Sequence, residues 1–138
     1  MILAAGWAHD TVEDTNATHE MAHNELSSEV ALLVEGLTDV SQPEDGNRAH
    51  RKAIGRAHSS AADPRAKTAK LADCIHNAID IVSFDPKFAK VFLHEKALLL
   101  PHLIEGDQTL WTAANRVLIA GQKQLVQAKL AGKAGLER

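Results

Sequence analysis

The segment AHDTVEDT carries one imidazole and three carboxylates within six positions, directly after the apolar start of the chain. Such a density of charge beside apolar residues needs a partner, and a metal ion is the usual partner of imidazole and carboxylate groups. His9 and Asp10 can bind one ion together if the backbone turns there. Glu13 follows His9 by four residues and Asp14 follows Asp10 by four, so on a helix both pairs lie on neighbouring faces. The segment predicts a ligand pair beside carboxylates that can accept protons.

A second candidate segment, KLADCIHN, lies far along the chain in a run with helical spacing. Asp73 interrupts an apolar stripe in this run, and Asn77 shares its face one turn later. A carboxylate on the buried face of a helix needs a partner. We expect the ion held by His9 and Asp10 to be that partner, which makes Asp73 a third ligand. The alternative for each acid is a solvated surface charge, and for Asn77 a hydrogen bond to a neighbouring turn.

The composition is typical of a single soluble globular domain. The chain has 138 residues, of which 45% are hydrophobic and 24% charged. A net charge of -3 gives no electrostatic reason to expect nucleic-acid binding. The single cysteine, Cys74, excludes an internal disulfide and fits a cytoplasmic location. The apolar run from Met1 to Ala8 is too short for a signal peptide or a membrane span.

Helical spacing recurs along the whole chain, and no segment alternates in the way typical of strands. We therefore predict an all-α protein of about six or seven helices, with residues 1–130 as one domain and residues 131–138 as a tail that frays. Capping residues, prolines and glycines set the expected bounds. The first predicted helix is Met1–Ala8, ending at a turn at His9. Thr18 caps a short second helix to about Leu26, and Ser27 or Ser28 caps a third that carries an apolar stripe of Val30, Leu33, Val34 and Leu37. The remaining predicted helices are Arg48–Ala62, Pro64–Phe84, Pro86–Leu100 and Gln108–Leu130.

The helix that begins at Arg48 is basic. Arg48, Lys52 and Arg56 repeat every four residues along it, and Arg51 lies beside them. Such groups neutralise phosphate charge in many binding sites. The alternative is a solvated basic face that binds nothing.

Taken in order, these motifs resemble those of the HD-domain metal-dependent phosphohydrolases. The matching segments are HDTVEDT at residues 9–15, VEGLT at residues 34–38 and LADCIHN at residues 71–77. The likeness is greatest to the hydrolase domain of RelA/SpoT-type enzymes and their small stand-alone relatives, which remove pyrophosphate from the 3′ position of the alarmone (p)ppGpp. It covers roughly Leu3 to Val82 and implies an HD-domain-like helical bundle.

The resemblance implies metal ligands. His9, Asp10 and Asp73 match three of the family's four ligands, and the family metal is usually manganese. The ligand types alone allow manganese, iron, magnesium or zinc. The family's first ligand is a His on a helix upstream of the His-Asp motif, and this sequence begins after that position. The histidines that could replace it are His19, His23, His50, His58 and His76.

The resemblance also implies catalytic and substrate-binding residues. Glu13 and Asp14 match the pair that orients and deprotonates the attacking water. Asn77 matches the residue that contacts the nucleotide. From the charge of the basic helix alone, we expect Arg48, Arg51, Lys52 or Arg56 to neutralise the phosphates.

The motifs and the resemblance suggest two alternative functions. The first is a metal-dependent phosphohydrolase, most of all for the 3′-pyrophosphate of (p)ppGpp, with a nucleoside-monophosphate phosphatase as a neighbouring possibility. The second is a weakly active or inactive HD-like module that binds a nucleotide or oligomerises, because the first ligand His is absent. Apolar surface near Met1 to Trp7 would favour a homodimer. Neither function involves a nucleic acid or a membrane.

Overall fold

The described part of the protein is built from helices. The computed structural model describes residues 2–16, 18, 20, 21, 24 and 27–136, without the side chains of residues 7, 11–13 and 134–136. This part contains no strand, which confirms the all-α prediction. The predicted helix Thr18–Leu26 falls largely outside it. The α-helices whose bounds lie in this part are α1 (Ile2–Asp14), α2 (Ser28–Leu37), α3 (Arg48–Ala61), α4 (Pro64–Phe84), α5 (Pro86–Leu99) and α6 (Gln108–Leu136), with 3₁₀-helices at Pro43–Asp45 and Leu100–Leu103.

Side-chain caps fix where the helices begin. The residue before each of five helices accepts a hydrogen bond from a backbone N–H of the first turn, which otherwise has no partner. Prolines occupy the first positions of α4 and α5, where no backbone donor is needed. The helix starts predicted from these signals are confirmed. The capping residues are Ser27, Asn47, Asp63, Asp85 and Asp107.

Two helices end later than predicted. Helix α1 does not stop at His9 but continues to Asp14, so the whole acidic segment is helical. Residues 9–14 contain no glycine or proline, and the His9 ring hydrogen-bonds back to the carbonyl of Gly6 within the helix. Helix α6 runs to Leu136, into the segment expected to fray, because the two glycines there, Gly132 and Gly135, each cost a helix only about 1 kcal/mol.

Helix α4 lies at the centre of the bundle. One face, formed by Leu71, Cys74, Ala78 and Val82, is buried in a core shared with α5 and α6. Nearer its beginning, α4 packs through Ala66 on a second core formed with α1 and α2. These positions follow the spacing of three and four residues that places side chains on one helix face.

The prediction that Asp73 lies on the buried face of α4 is wrong. Asp73 is exposed, as are its neighbour Ala72 and, further along, Ile79. Asp73 lies one residue before the buried Cys74, which rotates it by about 100° away from the core. Its carboxylate therefore points out of the core, on the side of α4 that borders the cavities described below.

Helices α2 and α4 cross closely at Gly36. A Cβ atom at this position would come within 3.0 Å of the Cβ of Ala66 and 3.2 Å of the Cβ of Ala62. Both neighbouring atoms are attached directly to backbone, so neither can rotate away. A side chain at position 36 would force the two helices apart.

We predict that Gly36→Ala lowers the free energy of unfolding by about 1–3 kcal/mol, the usual range for overpacking. Gly132→Ala is the matched control, because a Cβ there meets nothing within 4 Å. It should raise the free energy of unfolding by up to about 1 kcal/mol through helix propensity. Urea unfolding followed by circular dichroism measures both. Equal gains in the two variants would contradict the close crossing.

Candidate active site

The predicted site residues gather around two neighbouring cavities. The basic cavity, of about 190 Å³, lies between the end of α2 and helices α1, α3, α4 and α5. The α1–α4 cavity, of about 330 Å³, lies between the two helices that carry the sequence motifs. Both His9 and Asp73 line both cavities. The structure thus brings together the two motifs, which are more than sixty positions apart in the chain.

The His9 ring is held at both nitrogens. Its Nδ1 lies 2.8 Å from the carbonyl oxygen of Gly6, and a carbonyl can only accept, so Nδ1 carries a proton. Its Nε2 lies 2.9 Å from Oδ1 of Asp10. The imidazole and the carboxylate therefore point toward the same small space.

The spacing of His9 and Asp10 also suits a metal ion. Ligand atoms about 2.0–2.2 Å from one ion and at right angles to each other are about 3 Å apart. The Nδ1 bond to a backbone carbonyl is the usual way in which a ligating histidine is oriented. These two side chains therefore fit two neighbouring positions on one ion.

Asp73 faces this pair across the α1–α4 cavity. Asn77 donates from Nδ2 to Oδ1 of Asp73 over 2.9 Å, one helical turn away. This bond leaves Oδ2 for another partner. Among the described residues, no three His, Cys, Asp or Glu side chains stand close enough to form a complete metal-ligating group. The three-ligand set of His9, Asp10 and Asp73 stays a prediction.

The predicted proton acceptors are less well defined. Asp14 is exposed at the end of α1, one turn after Asp10, and does not line either cavity. The side chain of Glu13 lies outside the described part.

Of the possible replacement histidines, His58 lines the basic cavity, but its Nε2 is 2.8 Å from the carbonyl oxygen of Glu35. His19 and His23 are outside the described residues, while His50 and His76 are exposed away from both cavities.

Three of the four cations of α3 considered for phosphate binding line the basic cavity. These are Arg51, Lys52 and Arg56. Arg48 does not line it, because its guanidinium is bound to Glu95 by two hydrogen bonds of 2.6 and 2.9 Å and lies over the ring of Phe88. Partial burial works against ionisation of Glu95, but the hydrogen bond and charge of Arg48 outweigh it and lower the pKa of Glu95. Arg48 therefore neutralises a carboxylate in the cavity wall.

Asp39, at the rim of the same cavity, is also held ionised. Partial burial would raise its pKa, but the backbone N–H and hydroxyl of Ser41 hydrogen-bond to its carboxylate. The positive charges of Lys52 and Lys70 add to this effect, so the pKa of Asp39 is lowered.

The basic cavity carries more positive than negative charge. Its five cationic residues face three carboxylates, and one of those carboxylates is already paired with Arg48. In a chain of net charge -3, this is a local concentration of positive charge suited to an anion. The cationic residues are Arg51, Lys52, Arg56, Lys70 and Lys96.

The chain matches curated enzymes over part of its length. It is 38% identical over 96 residues to a guanosine-3′,5′-bis(diphosphate) 3′-pyrophosphohydrolase of Spiroplasma citri, covering 67% of this chain and 13% of that protein. It is 34% identical over 86 residues to the MESH1 enzyme of the same name from Xenopus tropicalis, covering 62% and 46%. It is 40% identical over 76 residues to a probable GTP pyrophosphokinase of Mycobacterium leprae, covering 54% and 10%.

The chain is related to the (p)ppGpp 3′-pyrophosphohydrolases. The resemblance predicted from the motifs is thereby confirmed. The matching part spans less than half the length of each of these three relatives. No family model matches the chain. No solved structure matches it either. None of the described helices is long and apolar enough to cross a membrane.

Sequence reasoning missed two cations that line the basic cavity, Lys70 and Lys96. Lys70 lines both cavities and donates from Nζ to the carbonyl of Leu37 over 3.1 Å. Its position one turn before Asp73 was the signal that could have identified it. Lys96 gave no such signal, because it lies on a separate helix and reaches the cavity only through the packing of α5.

We predict that the Arg48–Glu95 pair makes the stability depend on pH. Because the pKa of Glu95 is lowered in the folded protein, its contribution is full above the unfolded value of about 4.3 and is lost as pH falls through the folded value. Glu95→Gln should cost up to about 1 kcal/mol at pH 7, since Arg48 is partly exposed. It should also flatten the loss of stability below pH 5. Urea unfolding from pH 3 to 7 measures this.

Glu44→Gln, at an exposed position, is the control and should change neither the stability nor its pH dependence. The same acid-induced loss in Glu95→Gln as in the unaltered protein would contradict the role of the pair.

Proposed function

We propose that this chain carries a metal-dependent site that hydrolyses the 3′-pyrophosphate ester of (p)ppGpp. The observation that supports this most is the meeting of His9 and Asp73 at two shared cavities, one of which is strongly basic. A metal site beside a basic cavity is what hydrolysis of a phosphate ester requires. The relatives named as 3′-pyrophosphohydrolases support the choice of ester.

His9, Asp10 and Asp73 would hold a divalent cation. His9 would bind through Nε2, the nitrogen left free by the Gly6 carbonyl, and Asp10 through Oδ1. Asp73 would bind through Oδ2, since Asn77 occupies Oδ1. When bound, such an ion would ease the deprotonation of water and draw charge from a phosphoryl oxygen.

Glu13 and Asp14 would take up the proton. Helical spacing supports this role, because both residues lie on α1 one turn after His9 and Asp10. The oxygen of the attacking water forms a bond to phosphorus while the bond from phosphorus to the 3′ oxygen breaks. The 3′ oxygen leaves with a proton, and the products are inorganic pyrophosphate and a guanosine 5′-di- or triphosphate.

Arg51 and Lys52 would stabilise the negative charge of the pyrophosphate, with Lys70 bordering both cavities. Arg48 would act indirectly, by neutralising Glu95 so that the cavity wall does not repel the substrate. The main role of Asn77 would be to orient Asp73, to which it is hydrogen-bonded, and not to contact the nucleotide.

Manganese as the metal, a homodimer, the exclusion of nucleic acids and a cytoplasmic location stay predictions. Manganese is the ion to test first, because two of the three predicted ligands are carboxylates, which suit it. The exposed Leu3 of α1 is one apolar side chain that a second copy of the chain would cover.

We predict that Asp73→Asn weakens manganese binding at least about tenfold and lowers the rate of (p)ppGpp hydrolysis by a larger factor, because it removes a charged ligand. Asp80→Asn is the matched control, because Asp80 is exposed on the same helix two turns further on. Isothermal titration with Mn²⁺ and an assay of released pyrophosphate measure both effects. Unchanged metal binding in Asp73→Asn would show that the ligand assignment is wrong.

The role of Asn77 gives a separate prediction. If Asn77 orients Asp73, Asn77→Ala should weaken manganese binding about tenfold. If Asn77 instead contacts only the nucleotide, metal affinity would stay the same while KM for (p)ppGpp would rise. Titration with Mn²⁺ before any substrate is added distinguishes the two, and an unchanged affinity would contradict the positioning role.

A further inference from the structure

One face of α3 lines the basic cavity with three residues spaced four apart. Arg51, Gly55 and Ser59 all border this cavity. Because residues four apart on a helix lie one above the other, Gly55 forms the gap between the guanidinium of Arg51 and the hydroxyl of Ser59.

Both ends of this face have buried polar atoms that lack a partner. Ser59 is 0% exposed, and neither its Oγ nor the Nε of Arg51 has a hydrogen bond within the described part of the chain. Almost none of the surface of these two atoms is exposed to solvent, although both residues line the cavity. Leaving a buried donor unpaired costs about 1–3 kcal/mol, so each needs an acceptor. A ligand in the cavity with oxygen acceptors would supply one.

The position of Ser59 is fixed from both sides. The neighbouring His58 contacts the carbonyl oxygen of Glu35 on α2, over 2.8 Å. The carbonyl of Ser60 accepts a hydrogen bond of 2.7 Å from the buried Lys67 of α4. The hydroxyl is therefore placed before any ligand arrives, which lowers the entropic cost of binding.

Gly55 supplies room. A Cβ at this position would meet nothing within 4 Å, unlike one at Gly36, where packing leaves no space. Glycine in a helix interior costs about 1 kcal/mol relative to alanine, and no neighbouring atom requires it here. The free volume in front of Gly55 belongs to the basic cavity.

The size and charge of the cavity indicate its ligand. At about 190 Å³ it is smaller than the clefts of about 300 Å³ or more that enclose drug-sized ligands. Lys52 and Arg56 flank the three residues on the same helix. A small, multiply charged anion with many acceptor oxygens fits this combination, whereas a whole nucleotide does not.

We propose that Gly55 and Ser59 determine specificity by forming, with Arg51, a slot for a diphosphate group. The inference rests on the proposed function where that group is the 3′-pyrophosphoryl group of the substrate. Free inorganic pyrophosphate has the same chemistry and binds in the same slot. The protein should therefore be inhibited by its own product, and the guanosine should stay outside the slot.

The test is titration of the full chain with inorganic pyrophosphate in the presence of a chelator, so that no metal contributes. The unaltered protein should bind pyrophosphate at least about tenfold more tightly than orthophosphate. Gly55→Ala should weaken binding severalfold and Gly55→Leu at least about tenfold, because each fills the slot. Ser59→Ala should weaken it severalfold. Gly132→Ala, on α6, should bind as the unaltered protein does.

Thermal unfolding shows that these changes act on the slot and not on the fold. Gly55→Ala should melt no lower than the unaltered protein, because its methyl group meets no atom and alanine favours the helix. If Ser59→Ala fails to fold, the Gly55 variants still decide the question. Pyrophosphate binding that is absent, or equal in the unaltered protein and in Gly55→Leu, would overturn the proposal.

Hydrolysis assays distinguish this proposal from the proposed function. If pyrophosphate binds as expected but no metal ion gives (p)ppGpp hydrolysis, the slot stands and the enzymatic function fails. If hydrolysis occurs and Gly55→Leu changes neither KM nor inhibition by pyrophosphate, the function stands and the slot fails.

Discussion

The architecture depends on which face of a single helix, α4, is buried and which is exposed. Leu71, Cys74, Ala78 and Val82 must be buried for the bundle to have a core at all. With about 100° of rotation per residue, that choice also fixes the direction of every residue between them. Asp73 is therefore exposed at the cavities, on a helix whose rotation the core holds in place. Burial of apolar surface and orientation of the site are consequences of the same constraint.

The charge of the basic cavity depends on how the other helices pack around α4. Helix α3 supplies three cations to the basic cavity, and α4 and α5 supply one each. Positive charges this close together repel one another, and the carboxylates of Asp39 and Glu95 offset part of that repulsion. Glu95 is bound to Arg48, and the five cations that line the cavity outnumber its carboxylates, so the cavity keeps a net positive charge.

Local signals in the sequence predicted most of the fold. Caps such as Asn47 and Asp63 act within one turn, so their effect can be read from neighbouring residues. The meeting of His9 with Asp73 was predicted from the two motifs, although the buried position assumed for Asp73 was wrong. The pairing of Arg48 with Glu95 could not be predicted, because it joins residues 47 positions apart and depends on how α3 and α5 pack. The open space at Gly55 depends on the same packing, and glycine alone gives no sign of it.

The arrangement of the two cavities indicates how binding and chemistry would be divided between them. Because His9 and Asp73 line both, the boundary between the cavities is the place where a scissile bond would lie. A diphosphate held against α3 would extend toward α4, where Lys70 borders both spaces. Binding energy from the anion would then position the ester at the ligand pair without any contact to the base. In the proposed mechanism, affinity and reaction would come from different helices, so that Gly55 would set the choice of ligand and Asp73 would set the rate.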